Sequence, residues 1–182
     1  QRIIELRKPD VRAAILTEDD VEGSGLLIEG LGGLTAGMLD QVFVLGDPPD
    51  YEPTPNRSIV GLAERNGATA HEAAYDAFCA EDGRALLMLP LYNYVEHNHD
   101  VIREQLTHPT AVSGLADGGA HCGFICDASV PTTMISHWTR DRSRGEQLPL
   151  EWVVKKQTAD TAALFGLGDR GTIEVGKRAD LN

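Results

Sequence analysis

Apolar and polar positions follow two rhythms along this chain, and together they predict a mixed α/β protein. Helical stretches come first. Pro9 opens a helix running to Glu18, where its missing N–H costs nothing. Ser58 to Asn66 reads as a helix closed by Gly67. Thr69 and Glu72 stand at capping-box spacing, starting a helix that reaches about Glu81 with Gly83 behind it. Asn98 is placed to cap a helix from His99 to Leu106. Pro131 opens one extending to Asp141, and two more follow, Pro149 to Gln157 and Thr158 to Phe165, the last closed by Gly166.

Between the helices lie short apolar runs. Gln41 to Gly46 is β-branched and aromatic and is stopped by Pro48 and Pro49, so a strand is expected. Arg84 to Leu89 is apolar almost throughout, as a strand covered on both faces would be. Ala111 to Leu115 is a third such run, ending at Ala116-Asp117-Gly118-Gly119. Strands of continuous apolar character alternating with helices are the pattern of a parallel sheet. Glycines at 23, 25, 30, 32, 33 and 37 mark loops. Gly30-Leu31-Gly32-Gly33 lacks the GK[ST] ending of a phosphate loop and is discounted as one. Gly171 to Leu181 reads as turn and short strand.

Composition narrows the function classes. Of 182 residues, 42% are hydrophobic and 24% charged, enough apolar material for a core. The net charge of −12, from 28 acidic and 16 basic residues, disfavours nucleic acid and anionic membrane as partners. Arg140, Arg142 and Arg144 form the densest basic stretch, read as a solvated helix end rather than a phosphate patch. Three cysteines in a chain of this length point to a reducing, cytoplasmic setting rather than a disulfide framework. Neither a membrane-spanning run nor a basic-then-apolar leader is present in the sequence.

Asp117 is the most informative position. A carboxylate at the C-terminal end of a buried parallel strand, followed by two glycines, stands where barrel enzymes keep their chemistry. There it can take a proton from an attacking water and return it to a leaving nitrogen. The alternative is that it caps the following turn. His121, four residues on, can bind substrate or orient Asp117, or bond to loop backbone. Asn93, just past the second apolar run, is a candidate substrate contact. His71 is expected on a helix surface, and His108 and His137 read as structural. Cys79 is expected in the core, Cys122 and Cys126 as small packing residues, and Trp138 and Trp152 as packing aromatics.

The stretch Val112-Ser113-Gly114-Leu115-Ala116-Asp117-Gly118-Gly119-Ala120-His121 resembles the last barrel strand of amidohydrolases of the D-aminoacylase and N-acyl-D-glutamate or D-aspartate deacylase group, the amidohydrolase family 3 type. Phe43 to Glu52, Asp82 to Leu87 and Cys126 to Thr133 are similar to the same group. Thr158 to Leu167, Asp169 to Ile173 and Gly176 to Leu181 resemble the end of many amidohydrolases, where the chain leaves the barrel for a small β-sandwich. The resemblance implies the C-terminal part of a TIM (β/α)8 barrel, incomplete in this chain and carrying a helical insertion. Residues 1–83 would hold the insertion and preceding barrel elements, 84–168 the last two strands and their helices, and 169–182 the truncated return to the sandwich.

That family holds one or two divalent metals, usually zinc, and the resemblance implies that Asp117 is both a metal ligand and the general base and acid. The family's HxH pair ends its first barrel strand, whereas His97-Asn98-His99 enters a helix and is set aside as that pair. The remaining ligands are then expected upstream of Gln1, so that this chain alone binds zinc poorly and is inactive. The implied activity is hydrolysis of non-peptide amide C–N bonds in N-acyl-D-amino acids. The alternatives are a cyclic-amide, hydantoinase-like hydrolase and a non-catalytic binding or assembly module. Barrel strands that cannot close leave exposed edges, so a homodimer is a further expectation.

Overall fold

The computed structural model describes residues 2–18, 37–114, 116, 118–120 and 127–180. They fall into two compact units, Gln1–Asn98 and His99–Asn182.

The first unit is built around helices α3 (Ile59–Asn66) and α4 (Ala70–Cys79) and a two-stranded sheet, β1 (Phe43–Val44) and β2 (Leu87–Met88). The helix ends lie where local chemistry puts them. The Ser58 hydroxyl accepts from Gly61 N–H at 3.1 Å, and Gly67 ends α3 with φ +64°, a conformation that costs glycine little. Thr69 and Glu72 complete the expected capping box, with Thr69 N–H donating to Glu72 at 2.8 Å and Glu72 N–H to the Thr69 hydroxyl at 3.2 Å. The core gathers Val42, Ile59, Ala63, Ala73 and Ala77, with Leu87 and Leu89 packed against it from alternate positions of the second apolar run. Cys79 is buried and Phe78 exposed on the same helix.

The sheet corrects the expected parallel arrangement. Phe43 pairs with Met88 and Val44 with Leu87, antiparallel. Leu86, inside the run read as doubly covered, is 62% exposed. An apolar run of this length does not encode strand direction; the pairing partner does. Phe43 is fully buried, edge-on to Tyr94 with ring centres 5.8 Å apart, and Tyr94 donates to Pro53 O at 2.7 Å. The hairpin α1 (Arg2–Leu6) and α2 (Pro9–Thr17) buries none of its residues. It is joined to α4 by Arg12 on Asp76 at 3.0 and 3.1 Å, and by the Tyr75 hydroxyl donating to Leu6 O at 2.7 Å. Arg7 reaches Cys79 O and Asp82, both at 2.8 Å.

The second unit is helical among its described residues: α5 (Asp100–Thr107), α6 (Val130–Ser136), α7 (Leu150–Lys155) and α8 (Thr161–Leu164). α6 and α7 each run on into a π turn, His137–Asp141 and Lys156–Asp160. The helices expected at Pro149 to Gln157 and Thr158 to Phe165 are therefore one helical run. Met134, Trp138, Leu148 and Val153 form the core, with Ile102, Leu106 and Trp152 against it. His99, not Asn98, precedes the first turn of α5, while the Asn98 amide donates to Glu96 O at 3.1 Å.

Two strand expectations fail in this unit. Residues 111–114 are irregular, Thr172 lies in a bend and Ile173 is irregular. A strand needs a neighbour to take its backbone groups. Ala111 O instead accepts from the Lys156 ammonium, and the tail is closed by Arg178 N–H on Asp169 O at 2.8 Å. No barrel is present among the described residues. None of their helices is long and apolar enough to cross a membrane.

The basic triplet is also not uniformly solvated. Arg140 lies on Asp141 at 2.6 and 2.9 Å, and this ion pair holds the Asp141 carboxyl below its usual range. Arg142 is fully buried at its side chain. It donates to Asp100 at 2.6 Å and to Glu146 O at 2.8 Å, and its guanidinium lies 5.1 Å from the Trp138 ring centre. Gly145 makes room for it: with φ +121°, a Cβ there would lie 2.5 Å from the guanidinium.

Candidate functional site

Lys156 holds the segment 111–113, which precedes Asp117 in the chain. Its side chain is buried, its ammonium donates to Ala111 O, and it lies 5.2 Å from the centre of the Trp152 ring. Its backbone carbonyl accepts from the Ser113 hydroxyl at 3.5 Å and from the Thr161 hydroxyl at 3.0 Å. One residue thus ties the segment 111–113 to the π turn between α7 and α8. No residue pattern points to this role, because a lysine on a helix is ordinarily solvated.

A cavity of about 370 Å³ opens beside that segment. Ser113, Gly114 and Ala116 form one wall, Val130, Pro131 and Met134 of α6 another, and Gln157, Thr158 and Thr161 the third. Its polar side chains are turned to the main chain. Gln157 donates to Pro131 O at 3.1 Å, Thr158 to Val154 O at 2.7 Å and Thr161 to Lys156 O. None of these lining residues is charged.

Asp117 and His121 lie outside the described residues, as do Cys122 and Cys126. Ala116, covalently joined to Asp117, lines the cavity. On the exit side, a Cβ on Gly118 would sit 3.4 Å from Ala128 Cβ, so the loop passes close to the short 3-10 turn Asp127–Ser129. Asn93 belongs to the first unit, where it is exposed with φ +59°. That conformation favours asparagine over most residues, which gives Asn93 a role in the local turn.

The remaining histidines sort by contact. His71 is exposed on α4. His108 is also exposed, its Nδ1 2.8 Å from the Thr110 hydroxyl. His97 packs edge-on to Phe43 and Tyr94. His99 instead meets His137, with ring centres 5.6 Å apart, and both contact Trp138. Ring nitrogens of His99 and His137 come within 4.8 Å of one another. Sequence reasoning missed this pair, since no spacing connects the start of α5 with the end of α6. Zinc takes three or four such ligands, so two imidazoles are not a cage on their own.

No curated protein and no solved structure matches the chain. A family model described as "Amidohydrolase family" matches residues 5–182, a span that includes Asp117 and every wall of the cavity. The chain belongs to the amidohydrolase family.

Proposed function

We propose that this chain is part of a metal-dependent hydrolase that cleaves the amide C–N bond of N-acyl-D-amino acids, with Asp117 as its general base and acid and zinc as its metal. Membership of the amidohydrolase family carries the reading and supports both hydrolysis and metal dependence. The resemblance of Val112 to His121 to the deacylase group supports the choice of substrate.

Amide hydrolysis needs a proton moved twice. Water attacks the carbonyl carbon and gives its proton to the Asp117 carboxylate. The C–N bond then breaks as the same proton passes to nitrogen, leaving a carboxylic acid and an amine. His121 and Asn93 are proposed substrate contacts.

The test is hydrolysis of a panel of N-acetyl-D-amino acids by the protein that carries this chain, with added zinc and after chelation. Asp117→Asn is the control, and its expected effect is a loss of about 10²–10⁴-fold in kcat. Turnover confined to cyclic amides would overturn the substrate assignment. Undiminished turnover by Asp117→Asn would overturn the role of the carboxylate.

A further inference from the structure

We infer that the cavity beside residues 113–116 receives an uncharged, mainly apolar substituent of the substrate, and that Gly114 sets the size it admits. The inference rests on the hydrolase reading above, because that reading places the reaction at Asp117.

Four observations carry it. The first is position: Ala116 is in the cavity wall, and the next Cα along the chain is Asp117's, about 3.8 Å away. The second is polarity. The described lining side chains are neutral, and Thr158, Thr161 and Gln157 donate to main-chain carbonyls. A carboxylate entering here would find no cation among the described lining residues to replace its water, so desolvation disfavours a charged group. An alkyl group meets Val130, Pro131 and Met134. The third is size. About 370 Å³ lies at the lower end of the roughly 300–1,000 Å³ spanned by small-molecule pockets, suited to part of a substrate.

The fourth is Gly114 itself. Its φ lies outside the left-handed region, and a Cβ built on it would meet nothing within 4 Å among the described residues. Neither backbone conformation nor packing against the described residues demands glycine there. What the missing side chain provides is open space at the wall of the cavity, three residues before Asp117 in the chain.

An N-acyl amino acid has two groups that fit this chemistry, its acyl chain and its side chain. Two graded series separate them: N-acetyl, N-butanoyl and N-hexanoyl D-alanine, and N-acetyl D-alanine, D-norvaline and D-norleucine. For each compound a ketone isostere, with CH2 in place of the amide nitrogen, gives affinity by calorimetry without turnover. In the unmodified protein, affinity should rise along one series, up to about fourfold per buried methylene. Gly114→Leu should cut the preference for the longest over the shortest member at least tenfold, and Gly114→Ala should cut it less. Circular dichroism melting checks that both variants fold. The series that responds identifies the group. A flat length dependence, or equal weakening of every ligand by Gly114→Leu, overturns the inference. Length-dependent binding in a protein that cleaves no amide keeps the pocket and removes the hydrolase; amide cleavage with no length dependence does the reverse.

Discussion

Replacing Arg142 by methionine keeps most of its apolar stem and removes the guanidinium. The side chain is fully buried, whereas its partner Asp100 is 66% exposed. Charge-assisted hydrogen bonds to Asp100 at 2.6 Å and to Glu146 O at 2.8 Å are lost, together with the contact on Trp138. Bonds to charged groups contribute about 1.5–3 kcal/mol each and a partly desolvated cation–π contact about 1 kcal/mol. Release of the buried cation's desolvation cost offsets part of this. A net loss of about 2–4 kcal/mol is expected. Asp100→Asn should cost under about 1 kcal/mol, since the exposed carboxylate is already hydrated. Gly145→Ala should act in the same direction as Arg142→Met by driving a methyl group into the guanidinium. Urea unfolding followed by tryptophan fluorescence reads this directly, because Trp138 and Trp152 both lie in His99–Asn182. Equal costs for Arg142→Met and Asp100→Asn, or a cost under about 0.5 kcal/mol for Arg142→Met, would refute the reasoning.

The capping box and Lys156 offer two further tests beside those of Asp117 and Gly114. Thr69→Ala should destabilise α4 by about 1 kcal/mol, measured by amide hydrogen exchange along the helix. The Thr69 backbone N–H, then its hydroxyl, hold the Glu72 carboxyl below its ordinary value of 4.5. A lowered folded pKa means that this contribution is present above pH 4.5 and is lost as pH falls through the folded value. Thr69→Ala should therefore raise the Glu72 midpoint in a carboxyl NMR titration, and an unmoved midpoint would remove the hydroxyl from the account. Lys156→Met should loosen the approach to Asp117 by leaving Ala111 O without its donor, lowering kcat more than it raises KM. A change in KM alone would argue against a positioning role.

Helix ends were legible because their causes are local. Ser58, Gly67, Thr69 and Glu72 act within one turn of themselves, so spacing alone locates them. Strand pairing is not local. Nothing within Gln41–Gly46 or Arg84–Leu89 states that the two meet antiparallel, and Ala111–Leu115 has strand composition but Lys156 where a strand neighbour was expected. The burial of Arg142 was hidden for a similar reason: its slot is made by Trp138, Asp100 and Gly145 together. At the proposed site, Asp117 is a candidate from the glycines behind it and from resemblance, and it lies outside the described residues. The cavity was not, because three separate stretches of chain build its walls.

The helical hairpin at the start of the chain contributes no residue to the core, and its attachment depends heavily on Arg7 and Arg12. Their carboxylate partners, Asp82 and Asp76, are 73% and 62% exposed. Charges so placed are screened over about 8 Å at physiological ionic strength and about 3 Å in molar salt. The apolar core around Ile59 is not weakened by the same change. Dissolved salt therefore acts selectively on this protein, weakening the electrostatic attachment of α1 and α2 while the sheet and helices beneath them stay packed.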